Sequence, residues 1–230
     1  MEKDEKLFSR VDILESLSSE EVEQLERRTP EVYLGRGQTF YTPTHAARVL
    51  FLLLEGRIRL YKAVGGQELT LEVIEAGTMF GEATFAGRPQ GVYAVALEPS
   101  RVALASLDSF ERLVRARPEV GLKIIKLLSE RLYLYGSRMA DVGLKEVPAR
   151  LASLVLRLVE SEGVVTGENR YRIPTRYTHE QLATMIGAKR VAVTRAFATL
   201  KEGGALELRR RYIHIHHMEA LEIAAGGGQR

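Results

Sequence analysis

Apolar and polar residues change their spacing several times along the 230-residue chain. Residues 7–28 show helical spacing, and Pro30 marks the end of the helix that this spacing predicts. From residue 31 to residue 107, short runs rich in Val, Ile, Leu and Tyr alternate with glycine or proline. Turn residues that recur in this way are typical of an all-β sandwich or barrel. Residues 108–143 return to helical spacing, and the rest of the chain combines helices with short strands.

These changes predict an α+β protein with three parts. An N-terminal helix and β-domain cover residues 1–107, central helices cover residues 108–143, and a domain of helices and strands covers residues 144–230. Asp108 is the expected N-cap of the first central helix, and Pro118 suits the first turn of the second.

The second central helix carries two apolar stripes. One is a seam with the successive spacings 3, 4, 3, 4 and 3, which is the heptad pattern of helices that pair. The seam residues are Ile125, Leu128, Leu132, Tyr135, Met139 and Val142. A second stripe beside the seam contains Ile124, Leu127 and Leu134. One stripe is expected to pack on the β-domain and the other on a second copy of the chain; the alternative is a helix buried within one chain.

The segment YTHEQLATMIGAKRVAVTRAFATL predicts two helices joined at a glycine. Thr178 is the expected N-cap of the first helix, and Gly187 suits a left-handed turn after it. The second helix is expected to begin near Ala188 or Lys189. Two helices joined by a short turn that contains glycine form a helix-turn-helix, whose second helix enters the DNA major groove.

Basic residues lie where such a helix would meet DNA. Arg190 and Arg195 are about 140° apart on a helical wheel, on the flanks of its exposed face. An arginine fork can bind guanine O6 and N7 together, whereas other basic groups more often meet phosphates. Two strands that follow would form a wing with a basic turn. The expected DNA-binding residues are Thr178, Lys189, Arg190, Val191, Thr194, Arg195, Arg209, Arg210 and Arg211.

The distribution of charge supports this interpretation. Residues 1–142 have a net charge of −2, whereas residues 143–230 have a net charge of +5. Within residues 168–217 there are 10 Lys and Arg but only 4 Asp and Glu. This asymmetry indicates a polyanionic partner for the C-terminal part, although a solvated basic face would also explain it.

Several motifs in order make the chain similar to a known family. They are VLFLLLEGRIRLYK, the FGE of residues 80–82, the long helix after RPEV, VPARLA and YTHEQLA. The chain resembles the Crp–Fnr superfamily of bacterial transcription regulators from about Phe8 to His216. The resemblance implies a cyclic-nucleotide-binding-type β-roll, a dimerising central helix and a winged helix-turn-helix. It also implies a homodimer that binds palindromic double-stranded DNA, with RNA polymerase as a further partner.

One departure from the family lies in the second helix of the motif. Many members have a glutamate directly after the first arginine, where this chain has Val191. Valine cannot accept a hydrogen bond from cytosine but can contact a thymine methyl group. The string RVAVTR resembles the recognition helix of the global nitrogen regulators of the family. The resemblance therefore favours a GTA-type half-site over a TGTGA-type half-site.

The other departure lies in the sensor. Cyclic-AMP-binding members have an arginine and a serine that hold the phosphate, where this chain has Val92 and Tyr93. A buried phosphate without a cation would be costly. The chain is therefore expected not to depend on cyclic AMP, although Arg88 could supply a cation, and Tyr133 and Tyr135 are expected to fill the adenine space. The possible effector pocket consists of Gly81, Glu82, Val92, Tyr93 and Tyr135.

Iron–sulfur sensing, haem sensing and cupin-like catalysis all need cysteines or histidines, which are scarce in this chain. The absence of cysteine excludes cysteine-held iron–sulfur clusters, and His45 is the single histidine available for haem in the β-domain. A cupin-like enzyme needs several histidines in its barrel, and no catalytic motif occurs. His214 and His216 lie two positions apart on a predicted strand and could bind a metal weakly. A strand that lies near phosphate is the preferred interpretation. A cytoplasmic regulator without cofactor, metal or membrane association is expected; an atypical small-molecule effector, or a sensor that has lost its ligand, remains an alternative.

Overall fold

The computed structural model describes residues 30–41, 49–81 and 91–227. The helix predicted over residues 7–28 lies outside these residues, as do His45, Glu82 and Arg88. The described residues divide into two compact units. One contains residues up to Gly66 together with Leu71–Tyr133, and the other contains Gln67–Thr70 and the chain from Leu134 onward.

Two antiparallel sheets build the first unit among the described residues. Their eight strands are β1 (Glu31–Leu34), β2 (Thr39–Tyr41), β3 (Val49–Glu55), β4 (Arg57–Val64), β5 (Gln67–Glu75), β6 (Met79–Phe80), β7 (Tyr93–Ala96) and β8 (Ser100–Ser106). One sheet has the order β1-β8-β3-β6, and the other has the order β2-β7-β4-β5. The predicted β-domain is confirmed.

Alternating burial along the strands produces a core shared by the two sheets. In β4, Ile58 and Leu60 are buried, whereas Arg57 and Arg59, which alternate with them, are partly exposed. Because successive side chains of a strand point to opposite faces, one face of each sheet is apolar. Phe51 and Phe80 pack inside with ring centroids 5.2 Å apart.

Two helices follow β8, the last strand of this domain. They are α1 (Leu107–Ala116) and α2 (Pro118–Leu144). The N-cap of α1 is Ser106, whose hydroxyl accepts a hydrogen bond from Ser109 N at 3.2 Å. The expectation that Asp108 caps this helix was wrong, because Asp108 lies in its first turn. The helices pack on the β-domain through a cluster of buried residues, namely Leu50, Met79, Leu107, Phe110, Val120, Ile124 and Leu127.

The C-terminal residues form helices around a small sheet. The elements are α3 (Val147–Glu162), β9 (Val164–Gly167), β10 (Arg170–Arg172), α4 (His179–Ile186), α5 (Arg190–Glu202), β11 (Leu206–Arg209), β12 (Tyr212–Ile215) and α6 (Met218–Glu222), followed by a π-helical segment Ile223–Gly227. The sheet has the order β11-β12-β10-β9. Leu151, Leu154 and Leu158 of α3 are fully buried. No helix among the described residues is long and apolar enough to cross a membrane.

Candidate nucleic-acid interface

Helix α4 has a fully formed capping box at its start. The Thr178 hydroxyl accepts a hydrogen bond from Gln181 N at 3.1 Å, and Gln181 Oε1 accepts one from Thr178 N at 2.8 Å. These two bonds satisfy backbone donors that a helix start leaves without intrahelical partners. The expectation that Thr178 caps this helix is confirmed.

A left-handed glycine turns the chain from α4 into α5. Gly187 has φ 62° and ψ 44°, a conformation that a side chain would strain. The turn from Gly187 to Lys189 separates the two helices by three residues. Leu182, Ala183 and Ile186 are buried beneath the pair. The pair has the geometry of a helix-turn-helix.

Helix α5 buries one face and exposes the other. Val193, Ala196, Phe197 and Leu200 hold it in the core, each at most 6% exposed. The predicted contact residues of this helix all lie on its exposed surface; they are Lys189, Arg190, Val191, Thr194 and Arg195. Val191 is 62% exposed although it is apolar. An exposed valine beside exposed cations suits a surface that meets base edges and phosphates.

The charge at the start of α5 opposes the helix dipole. Its N-cap is Lys189, which makes no capping hydrogen bond through its side chain, and its first residue is Arg190. A helix N-terminus favours anions and disfavours cations, so these residues do not stabilise the helix itself. Backbone N–H groups and two cations at one point instead form a surface that attracts an anion such as phosphate.

A shallow groove runs beside this helix. It has a volume of about 370 Å³ and lies between the start of α3 and the exposed side of α5. Its lining residues are Val147, Pro148, Lys189, Val191, Ala192, Arg195, Ala196 and Thr199. The groove brings Lys189 and Arg195 to one concave surface of the C-terminal unit.

The turn between β11 and β12 is strained. Arg210 and Arg211 have φ values of 54° and 68°, in the left-handed region that glycine and asparagine favour. A two-residue hairpin of this kind usually contains Asn-Gly, so two arginines cost stability here. Arg209, Arg210 and Arg211 are all exposed. The unfavourable backbone is consistent with a functional demand for cations at the tip of the wing.

The predicted effector-pocket residues are only partly brought together. Val92 is 9% exposed and belongs to the hydrophobic core of the β-domain, and Gly81 is buried with φ 94°. Tyr93 lies on the opposite face of β7 from Ala94, and its ring stacks on Tyr61 at 5.0 Å. The assignment of Tyr93 to an effector pocket stays a prediction.

The tyrosines of α2 are not deeply buried in the single chain. Tyr133 is 64% exposed and Tyr135 is 37% exposed. The expectation that the two rings fill the space of an adenine stays a prediction.

A buried ion pair in the first unit was missed from the sequence. Arg131 of α2 and Glu72 of β5 are 5% and 2% exposed, and Arg131 Nε lies 3.1 Å from Glu72 Oε2. Arg131 Nη2 also donates to the Met79 carbonyl at 2.8 Å. Burying a charge is costly unless it is paired, so this pair fixes α2 against the sheet at one position. The signal was present, because Glu72 interrupts the apolar run of β5.

The seam of α2 is exposed in the single chain. Its six residues have exposed fractions of 62% for Ile125, 41% for Leu128, 74% for Leu132, 37% for Tyr135, 76% for Met139 and 41% for Val142. The second stripe is buried, with Ile124, Leu127 and Leu134 each at most 8% exposed. One apolar face of α2 is thus buried within the chain, and the other is exposed in the single chain.

Histidines and acidic residues do not assemble a metal site among the described residues. His216 Nε2 lies 3.4 Å from Glu207 Oε1 across the β11–β12 pair. The pKa of His214 is lowered from its ordinary value, chiefly because the ring is partly buried. His214 lies in β12 of the wing, and His216 directly follows that strand.

Models of known protein families match the N-terminal and the C-terminal part of the chain. A model of the cyclic nucleotide-binding domain matches residues 31–117, and a model of the Crp-like helix-turn-helix domain matches residues 149–223. The two domains stand in the order that the motifs predicted. The chain belongs to the Crp–Fnr superfamily. It is a transcription regulator with a helix-turn-helix DNA-binding domain and a cyclic-nucleotide-binding-type β-roll.

Curated relatives of this Crp–Fnr protein have similar length. It is 24% identical over 219 residues to a CRP-like cAMP-activated global transcriptional regulator of Mycobacterium tuberculosis, covering 94% of this chain and 97% of that protein. It is 26% identical over 190 residues to a global nitrogen regulator of Synechocystis, covering 81% of this chain and 84% of that protein.

A solved structure shares its fold. A CooA mutant from Carboxydothermus hydrogenoformans matches with a TM-score of 0.81 at 23% identity, covering 97% of each chain.

Proposed function

We propose that this Crp–Fnr regulator acts as a homodimer that reads a palindromic DNA site with helix α5. The observation that carries the proposal is the exposed Lys189–Arg190 start of α5, which follows a capped helix and a left-handed glycine turn. Arg190 and Arg195 would bind guanines, and Val191 would contact a thymine methyl group. Thr178, Thr194 and Lys189 would lie near the backbone phosphates at the two helix starts.

The wing is the second part of the proposed interface. Arg209, Arg210 and Arg211 would contact phosphates, which position a protein on DNA without reading its sequence. Three exposed cations on a strained turn support this assignment.

The exposed seam of α2 supports the dimer. Two copies that pair along the seam would set two α5 helices about 34 Å apart, which is one turn of DNA. In this proposal residues 1–107 form the sensor, residues 108–143 the dimerisation helices and residues 144–230 the DNA-binding domain. A regulator of bacterial transcription would act in the cytoplasm together with RNA polymerase.

The sensor is proposed not to depend on cyclic AMP. Val92 stands in the apolar core where cyclic-AMP-binding members have a phosphate-binding arginine. The buried guanidinium of Arg131 is already paired with Glu72, so it is not available to a ligand phosphate unless that pair breaks.

Selection of binding sites from random duplex DNA tests the proposed function. The expected result is a palindromic motif with half-sites one helical turn apart. Enrichment of no motif, or of a motif without two-fold symmetry, would contradict the proposal.

A further inference from the structure

His179 belongs to the helix-turn-helix but is not among the residues assigned to the proposed DNA interface. It is the first residue of α4, directly after the Thr178 cap. Its ring stacks on Phe197 of α5, with centroids 5.1 Å apart and planes at 15°. Phe197 is 6% exposed, so the imidazole packs on the core there, while His179 as a residue is partly exposed.

The hydrogen bonds of Thr194 bear on which ring nitrogen carries the proton. The Thr194 hydroxyl lies 3.2 Å from the Arg190 carbonyl, to which it can donate. In that arrangement its oxygen accepts from His179 Nδ1 at 2.8 Å, because a hydroxyl has one proton to give. We take this tautomer, with the hydrogen on Nδ1, for the neutral ring, so that Nε2 is the nitrogen that changes with protonation. Nε2 presents a lone pair when the ring is neutral and an N–H donor when the ring is charged.

The surroundings favour the neutral ring in the free protein. The pKa of His179 lies below its ordinary value of 6.5, first because the ring is partly buried and second because Arg190 is positively charged. Arg190 is the charged group that acts on the ring from α5, whereas Thr194 and Phe197 are uncharged, and the neighbouring acid on α4 is Glu180. A neutral Nε2 lone pair would repel a phosphate oxygen.

DNA would reverse this preference. The first helix of a helix-turn-helix crosses the sugar–phosphate backbone, and its N-terminal N–H groups favour phosphate. We propose that His179 binds a backbone phosphate through Nε2 only when its ring is protonated, so that DNA binding takes up a proton at this residue. The proposal rests on the proposed DNA-binding function. It assigns to His179 a pH-dependent contact on α4 in addition to the permanent cations of α5 and the wing.

The sign of the effect follows from proton linkage. A phosphate beside Nε2 raises the pKa of His179 in the complex above its value in the free protein. Affinity for DNA then rises as the pH falls through the pKa of the complex. It stops rising below the lowered pKa of the free protein. Between the two values, one proton taken up on binding strengthens affinity by at most about tenfold per pH unit.

Fluorescence anisotropy on a selected duplex between about pH 5 and pH 8 tests the proposal. His179→Asn retains a donor that can reach the Thr194 hydroxyl but cannot become charged. His179→Arg is charged throughout this range, and His217→Asn is a matched control that replaces an exposed histidine at the start of α6. The parent and His217→Asn should bind more tightly on acidification, whereas His179→Asn and His179→Arg should lose that pH dependence.

Salt dependence separates a phosphate contact from a structural role. The slope of log affinity against log salt should be steeper at the acidic end by about 0.9 for the parent, but unchanged for His179→Asn. Thermal unfolding of His179→Asn tests whether the variant folds, and His179→Gln replaces it if it does not. Persistence of the parent's pH dependence in the neutral variants, or its absence from the parent, would overturn the proposal. If no protein binds any duplex at any pH, the proposed function itself fails.

Discussion

Leu132→Asp tests the proposed dimer at the centre of its seam. Leu132 is 74% exposed in the single chain and lies between the seam residues Leu128 and Tyr135. If two copies pair along α2, this side chain becomes buried on both sides of a two-fold axis. The substitution then removes an apolar contact from each chain and introduces two carboxylates without partners.

The size of the effect follows from the exposed fraction. Fully burying a leucine is worth about 1.5–3 kcal/mol, so burying three-quarters of one is worth roughly 1–2 kcal/mol per chain. Two chains lose about 2–4 kcal/mol, which weakens dimerisation by about 30- to 700-fold at 1.4 kcal/mol per factor of ten. Desolvation of the carboxylates adds to this loss.

Analytical ultracentrifugation and binding to a palindromic duplex measure the outcome. Leu132→Asp should sediment as a monomer at concentrations where the parent is a dimer, and it should bind the palindrome weakly. Lys126→Asp is the matched control, since it places a carboxylate on the same helix about 120° around from Leu132. Its dimer should persist. A dimeric Leu132→Asp protein would show that the seam is not the subunit contact.

Two further predictions concern the sensor and the start of the DNA-binding domain. Because Val92 is packed in the apolar core, cyclic AMP should give no calorimetric signal near micromolar concentration and should not alter DNA affinity; micromolar binding would contradict this. The Asp141 carboxylate forms ion pairs with Arg157 Nη1 at 3.1 Å and with Lys145 Nζ at 2.7 Å. Asp141 and Arg157 are each 7% exposed. Asp141→Ala should therefore lower the free energy of unfolding by about 3–5 kcal/mol in chemical denaturation, whereas Asp141→Ala with Arg157→Leu should cost less, because no buried cation is left unpaired. Equal losses in the two variants would contradict that reason.

Local signals predicted the helix-turn-helix well. The capping box at Thr178 and the left-handed Gly187 depend on residues within a few positions of each other, and both are found. The two stripes of α2 differ in burial, since one is buried and the other exposed, whereas pairing along the exposed stripe stays a prediction. Helical periodicity predicts such faces directly, because residues three or four positions apart lie on the same side of a helix.

Other features could not be read from local sequence. The run Val92–Ala96 is mostly apolar on both alternating faces, so the sequence does not say which face of β7 is internal. In the structure Ala94 and Ala96 are buried, whereas Tyr93 is partly exposed. Ser106 and Asp108 are both good N-cap residues; Ser106 is the cap in the structure, and Leu107 directly after it is buried in the core. The Glu72–Arg131 pair joins residues 59 positions apart, which no helical or strand period reveals. Long-range register and burial decide such features, and neither is a property of a short segment.

Helix α5 is proposed to read the DNA sequence, whereas the wing contacts only the phosphates of the DNA backbone. Site selection with the parent, Arg190→Ala, Arg210→Ala and Val191→Glu compares the two surfaces in one experiment. Arg190→Ala should cost about 1–3 kcal/mol on the specific site and relax preference at one base pair of each half-site. Arg210→Ala should weaken binding about equally on all sequences and flatten the salt dependence, and Val191→Glu should shift preference toward cytosine. If Arg190→Ala instead keeps the parent's motif and differs only in affinity, Arg190 is a phosphate anchor and the assigned role of α5 fails at its first arginine.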